Sequence, residues 1–310
     1  MRSLTSNHLI AWIPVSIALV LYVGPMLAGN PNQAEPSAPS ASRPATTSQT
    51  ARLLWDGKET IAEYARRAGI TQTEVILDLG SGVTLKAALI PAGNFIMGTA
   101  EKDCPDDQRP QHKVTITRPF YVGVYEVTQE QWTKVMGTRP QIFKGDAKLP
   151  VETVSRNDAM DFCKKVTDLT KRKVRLLTEA EWEYACRAGS ATRFCFGDDD
   201  RKLKNYAWYQ DNGKGTSHPV GQKEPNAWGL YDMHGNVLEW CSDWFTDSYA
   251  NAEAVDPTGP STEPLINAHR VLRGGCFWDG SLLCRSSYRI FGNPNGRGSQ
   301  AGFRIAVELQ

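Results

Sequence analysis

GLYDMHGNVLEWCSDW, residues 229–244, is the stretch from which the rest of the chain is read. Its sixteen residues hold three aromatics (Tyr231, Trp240, Trp244), two glycines and three acids (Asp232, Glu239, Asp243). Neither a helical nor a strand period fits it. Asp232 and Glu239 bracket His234, Gly235 and Asn236, a tight-turn composition. Two readings stand at this point. Carboxylates on either side of a glycine turn can close on one hard cation, with backbone carbonyls as further ligands. Alternatively, the tryptophans pin a loop to the core and the acids are solvated.

The chain has 310 residues, 41% hydrophobic and 22% charged, the balance of a globular protein. A net charge of +1 gives no basis for a nucleic-acid partner or an anionic membrane surface. Seven cysteines (Cys104, Cys163, Cys186, Cys195, Cys241, Cys276, Cys284) include no C-x-x-C pair, which argues against a zinc ribbon.

Residues 9–27 form an apolar run after Arg2, followed by Ala28 and Gly29. Residues 1–28 are expected to be a secretory signal or an uncleaved anchor, so the remainder lies outside the cytoplasm, and membrane contact follows only if the segment is retained. Residues 29–50, rich in Pro, Ser and Ala, are expected to be a disordered linker. Residues 51–82 form an extension with a short helix over 52–68 that stops at Gly69. The globular domain is set at 83–310. Apolar or alternating runs at 85–90, 94–97, 114–117 and 120–125 predict strands of an antiparallel sheet. Thr128 with Gln131, Ser155 with Asp158 and Thr178 with Glu181 predict three helix starts of capping-box type. Ala159, Phe162, Cys163, Val166 and Leu169 give the second helix a core face. From residue 193 onward loops dominate, with short strands expected at 269–272 and 302–307.

Specific motifs follow in order: IPAGNFIMG (90–98), QHKV (111–114), YEVTQEQW (125–132), PVETVS (150–155), RLLTEAEWEYACRAG (175–189), HPVGQKEPNAWGLYDMHGNVLEW (218–240), RGG (273–275) and GFRIA (302–306). Together they resemble the formylglycine-generating enzymes, or sulfatase-modifying factors, over essentially all of residues 83–308. The resemblance implies an α+β fold of low regular structure, related to C-type lectins. It implies calcium held by the Asp232 side chain, the backbone of Gly235 and Val237, and the Glu239 carboxylate. It implies copper(I) on two thiolates spaced Cys-x4-Cys after R-G-G-Ser, and a cysteine-bearing protein or peptide client, in the family a sulfatase, oxidised to formylglycine. Copper(I) is soft and takes thiolates.

The chain departs from that pattern at the reacting centre. Cys276 stands at the serine position, Asp279 at the first thiol and Cys284 at the second. Arg156, Leu177 and Leu238 also stand where the family has Trp, Pro and Trp. Cys276, Cys284 and Asp279 are therefore the candidate catalytic set, and Arg285 and Arg304 the candidates to line a substrate groove, since guanidinium forks suit a peptide backbone or carboxylate. Three outcomes stay open. Cys276 and Cys284 rebuild the copper pair; they form a disulfide; or the oxidation is lost and the domain is a calcium-stabilised module binding a peptide, protein or glycan in the same groove. A Cys186–Cys195 bridge and two separate thiols are likewise both open.

Overall fold

A computed structural model describes residues 54–250, 252–264 and 268–310. The expected signal segment and linker lie outside these residues. Among the described residues no helix is long and apolar enough to cross a membrane.

Helix α1 (Ile61–Ala68) starts at a capping box between Thr60 and Glu63 and stops at Gly69, whose φ of 72° is the left-handed turn that glycine allows. It buries Tyr64, whose hydroxyl accepts the Ala92 N–H at 3.0 Å. Strand β1 (Glu74–Gly80) then alternates, with Val75, Leu77 and Leu79 inward and Glu74, Ile76 and Asp78 outward. It pairs antiparallel with β2 (Val83–Ile90) along its length. The turn between them, Ser81–Gly82, has both φ values positive, as a two-residue hairpin requires. The sheet thus begins before residue 83, inside the segment that the sequence sets apart as an extension.

Strands β3 (Gly93–Met97) and β4 (His112–Ile116) form a separate ribbon. β5 (Phe120–Gly123) returns beside β2. Helices α2 (Gln129–Met136), α3 (Arg156–Thr170) and α4 (Glu179–Arg187) each start at the expected box, with Thr128, Ser155 and Thr178 as N-caps. β6 (Val174–Leu176) lies between α3 and α4 in sequence. β7 (Leu238–Trp244), β8 (Arg270–Arg273), β9 (Arg289–Gly292), β10 (Ala301–Gly302) and β11 (Ile305–Glu308) complete the strands.

The main sheet runs β1-β2-β5-β11-β6, and a smaller one runs β10-β7-β8-β9 with β10 parallel to β7. The carboxyl-terminal strand therefore sits inside the main sheet, between β5 and β6. Helices α1, α2 and α3 cover one apolar cluster with Leu77, Leu89, Val166 and Ile305. There Trp132 stacks on Phe162 at 5.8 Å, and Phe303 meets both edge-on. Each such side chain, fully buried, is worth about 1.5–3 kcal/mol. A second cluster holds α4 (Trp182, Tyr184, Ala185) against Val114, Met233 and Val271. Residues 238–244 form a strand although no period fits them, because Glu239, Trp240, Cys241 and Asp243 are buried on both faces.

Candidate functional site

The loop before β7 is built on Asn226. Its side-chain oxygen accepts the N–H groups of Trp228 and Leu230, and its amide donates to Ala185 O at 2.7 Å, tying the loop to α4. The chain then turns sharply. Asp232 and Asn236 have φ of 59° and 63°, conformations that short polar side chains tolerate. At Gly235 a Cβ would meet the Trp208 carbonyl at 2.4 Å, so the turn needs glycine there. Asn236 locks the neighbouring segment: its N–H donates to Trp208 O at 2.7 Å, and its side-chain oxygen accepts the His218 N–H at 2.9 Å.

Three carboxylates are buried around this turn. Asp232 accepts the Gly221 N–H on Oδ2 at 2.7 Å, while its Oδ1 is buried without a hydrogen-bond partner among the described residues. Glu126 accepts from Asn236 Nδ2 at 2.8 Å and from Val237 N–H at 3.1 Å. Glu239 is gripped by Arg304 through Nε and Nη2 at 2.7–2.9 Å, and by Trp182 Nε1 at 2.7 Å. Arg304 also donates to the carbonyls of Gly123 and Tyr231 at 2.9 Å, which fixes its fork. Burial pushes Asp232 up to about 6, with the Glu239 charge adding to it against the pull of Gly221 N–H and Arg304. Burial likewise raises Glu126 well above the carboxylate range, and Asp232 and Glu239 add to it. Three acids face one guanidinium, an excess of two negative charges when all are ionised.

Against the expected calcium ligands, this donor set fits in part. The orphaned Asp232 Oδ1 and the double negative excess suit a hard divalent ion. Gly235 and Val237 lie on the same turn. Both Glu239 oxygens, however, are engaged by Arg304 and Trp182. Glu126, which the sequence reading passed over, brings a third charge to the site. Its signal was an acid inside the apolar run of residues 120–127.

The RGG turn lies nearby, since Phe277 N–H donates to Asn236 O at 3.0 Å. Gly275 has φ of 73°, and a Cβ there would meet Cys284 Sγ at 2.9 Å, so the Cys284 thiol rests against the turn. Asp279 folds back to accept the Cys276 N–H at 2.9 Å and to meet its thiol. Burial, then the Asp279 charge, pushes the Cys276 thiol far up, and burial does the same to Cys284, which has no exposed surface. The two thiols enter different apolar clusters, Cys276 with Val237 and Phe277, Cys284 with Phe194 and Tyr209. All seven cysteines are free, so neither a Cys276–Cys284 nor a Cys186–Cys195 bridge is formed. Cys186 instead touches Ser286 Oγ at 3.6 Å and the face of His234. His234 Nε2 accepts the Cys195 N–H at 3.1 Å, which leaves Nδ1 to donate to Cys284 O at 2.8 Å.

Arg285 and Arg304, expected along a groove, are both buried in ion pairs. Arg304 belongs to Glu239. Arg285 meets Glu101 at 2.5 Å, Asp103 at 3.3 Å and Cys104 Sγ at 2.8 Å, and its guanidinium serves as the cation of that cluster. Arg273 and Arg289 are also buried, against Glu183 and Glu179 of α4.

Asp243 closes this second network. It accepts the Glu179 N–H at 3.0 Å and the Ser242 hydroxyl at 2.7 Å, and burial, with the Glu179 charge, pushes it up to about 7. A raised carboxyl is protonated more readily in the folded chain than in the unfolded one. Its contribution is full below about pH 4 and is lost as pH rises through about 7. Asp243→Asn keeps an acceptor and removes the charge. In urea melts the wild-type chain is expected to lose stability relative to the variant between pH 4 and 8, on the order of 4 kcal/mol by the upper end; parallel pH profiles would refute this.

Residues 83–309 match the family described as "Sulfatase-modifying factor enzyme 1-like domain". The chain is 37% identical over 209 residues to the formylglycine-generating enzyme of Streptomyces coelicolor, covering 61% of this chain and 60% of that enzyme. It is 32% identical over 253 residues to the serine/threonine-protein kinase pkn1 of Chlamydia pneumoniae, covering 73% of this chain but 38% of the kinase. Treponema denticola variable protein 1 superposes with a TM-score of 0.70 at 30% identity, over 77% of this chain and all of that one. The architecture is accordingly the formylglycine-generating-enzyme, C-type-lectin-like fold, and the chain belongs to the formylglycine-generating-enzyme (sulfatase-modifying factor) family.

Proposed function

We propose that this chain is an exported binding module on the formylglycine-generating-enzyme fold, organised by calcium, that engages an extended peptide or protein segment and does not oxidise cysteine. One observation carries the reading. The sulfurs beside the RGG turn, Cys276 and Cys284, are both buried and pack with different apolar clusters, and Asp279 stands at the remaining family position. Copper(I) is held by a pair of accessible thiolates, whereas here a carboxylate takes one of the two positions and both nearby sulfurs are buried. A binding surface beside the turn is supplied by Trp278 and Leu282, which are 56% and 53% exposed where solvation alone would disfavour them. Export rests on the apolar run at 9–27 in the sequence.

The competing reading, oxidation of a sulfatase cysteine, is favoured by the similarity to named formylglycine-generating enzymes. Incubation with a cysteine-containing sulfatase peptide, copper and oxygen separates the two. We expect mass spectrometry to show the thiol intact, and copper(I) titration to show no tight site that depends on Cys284. Conversion of the peptide thiol to an aldehyde, lost in Cys284→Ser, would overturn the binding-only reading.

A further inference from the structure

A cleft of about 790 Å³ opens between α3, β6 and residues 256–258, within the size range of ligand sites and apart from the RGG turn. Its floor is apolar. Ile116, Cys163 and Leu176 are buried there, and Met160 stays 44% exposed, uncovered among the described residues. Its rim is charged, with five cations against three carboxylates. The carboxylates are already engaged. Glu308 pairs with Lys173 at 2.7 Å, Glu181 with Arg175 at 2.6 Å, and Asp256 accepts the Thr117 N–H at 2.8 Å. Arg118, Arg156 and Lys164 are left without an ion pair among the described residues.

Arg156 is the informative member. Its Nη2 donates to Ser242 O at 3.1 Å, and Arg270 Nη1 donates to the same carbonyl at 2.5 Å. Two guanidiniums thus converge on one neutral acceptor, and the Nε of each is buried without a hydrogen-bond partner among the described residues. Arg270 is held there by stacking on Trp244 at 3.3 Å. Asp243 lies near both, and Glu263 bears on Arg270 and not on Arg156. Asp243 is already committed to Glu179 N–H and the Ser242 hydroxyl. Like charges brought together repel unless an anion is shared between them, and buried donors left unpaired are costly; of the two, Arg156 lines the cleft. A carbonyl dipole does not replace a full negative charge.

We propose that this cleft binds an organic anion, a phosphate or carboxylate head on an apolar body, with Arg156 as the principal head-group contact and the Met160–Leu176 floor taking the body. The occupant follows from charge and shape together: an inorganic ion leaves the floor bare, and a neutral apolar molecule leaves the cations unmatched. Guanidinium favours both oxyanions by paired N–H donation.

Calorimetric titration of the full chain at low ionic strength tests this with four probes: hexyl phosphate, hexanoate, and, each lacking one half of the amphiphile, inorganic phosphate and 1-hexanol. We expect saturable binding of hexyl phosphate or hexanoate, whichever is tighter naming the head group. Inorganic phosphate should be about tenfold weaker and 1-hexanol without saturable heat, since each lacks one half of the recognition. Arg156→Gln should weaken the tighter probe about tenfold or more, the scale of one charge-assisted pair. Failure of both amphipathic anions to bind, equal binding of 1-hexanol, or an unchanged affinity in Arg156→Gln overturns the proposal. Should Arg156→Gln fail to fold, the double variant Arg118→Gln/Lys164→Gln replaces it, both positions being exposed. That variant is expected to bind more weakly and with a shallower salt dependence, and unchanged binding there overturns the proposal equally.

Discussion

Arg304→Met is expected to destabilise the domain by about 3–5 kcal/mol, the cost of stranding a buried charge. The size follows from what the guanidinium does. It is 1% exposed and makes three contacts with Glu239, itself 1% exposed, and two more donors go to the Gly123 and Tyr231 carbonyls. It therefore ties β11, β7 and the end of β5 at one point. Glu126 and Asp232 are also buried, and Asp232 and Glu239 lie close enough to Glu126 to raise its affinity for protons. Without Arg304 all three acids lose their one fixed cation. At roughly 2–4 °C per kcal/mol for a domain of this size, the midpoint should fall by about 10 °C. The double variant Arg304→Met/Glu239→Gln should recover a good part of that loss, because the stranded charge is then gone. Additive losses in the double-mutant cycle would show that the pair is uncoupled, contrary to the geometry.

The legible and illegible parts of this chain divide along a physical line. Capping boxes are local: a hydroxyl and an acid or amide three residues apart satisfy the first N–H groups of the helix, and Thr128, Ser155 and Thr178 were readable from those pairs alone. Alternation also survives where one face is partly wet, as in β4. β7 was illegible as a strand because both of its faces are covered, so no two-residue period marks it. β1 was missed although Glu74–Gly80 alternates cleanly; it follows a helix stop and precedes the first family motif, and only its pairing with β2 places it in the main sheet. At the site, Asp232 and Glu239 were found from their flanking of a glycine turn. What the sequence could not say was which cation each meets. Arg304 lies 65 residues after Glu239, and Arg285 meets acids 182–184 residues before it. Such pairings belong to the tertiary fold, and both arginines turned out to be spent inside it. Glu126 could have been suspected, since an acid in an otherwise apolar run demands a buried partner.

Calcium should matter to this protein in a way that reverses sign at one residue. In metal-free protein the Asp232 carboxylate is a burden: it is 2% exposed, Oδ1 has no partner among the described residues, and Glu126 and Glu239 repel it. Asp232→Asn removes the charge and keeps an oxygen for the Gly221 N–H. In the presence of a chelator that variant is expected to match the wild type or exceed it by about 1 kcal/mol, the scale of relieving one unpaired buried group. With calcium the order should invert. An ion that binds only the folded wild type adds about 2.7 kcal/mol at one hundred times its dissociation constant. The variant lacks the charged oxygen and should gain little of this. Differential scanning calorimetry in chelator and in millimolar calcium measures both arms on the same preparations. If calcium leaves the wild-type midpoint unmoved, the excess of buried acid is balanced without a metal and the loop is held by Arg304 and Asn236 alone. If calcium raises both proteins equally, the ion sits elsewhere, and Asp232 is not among its ligands.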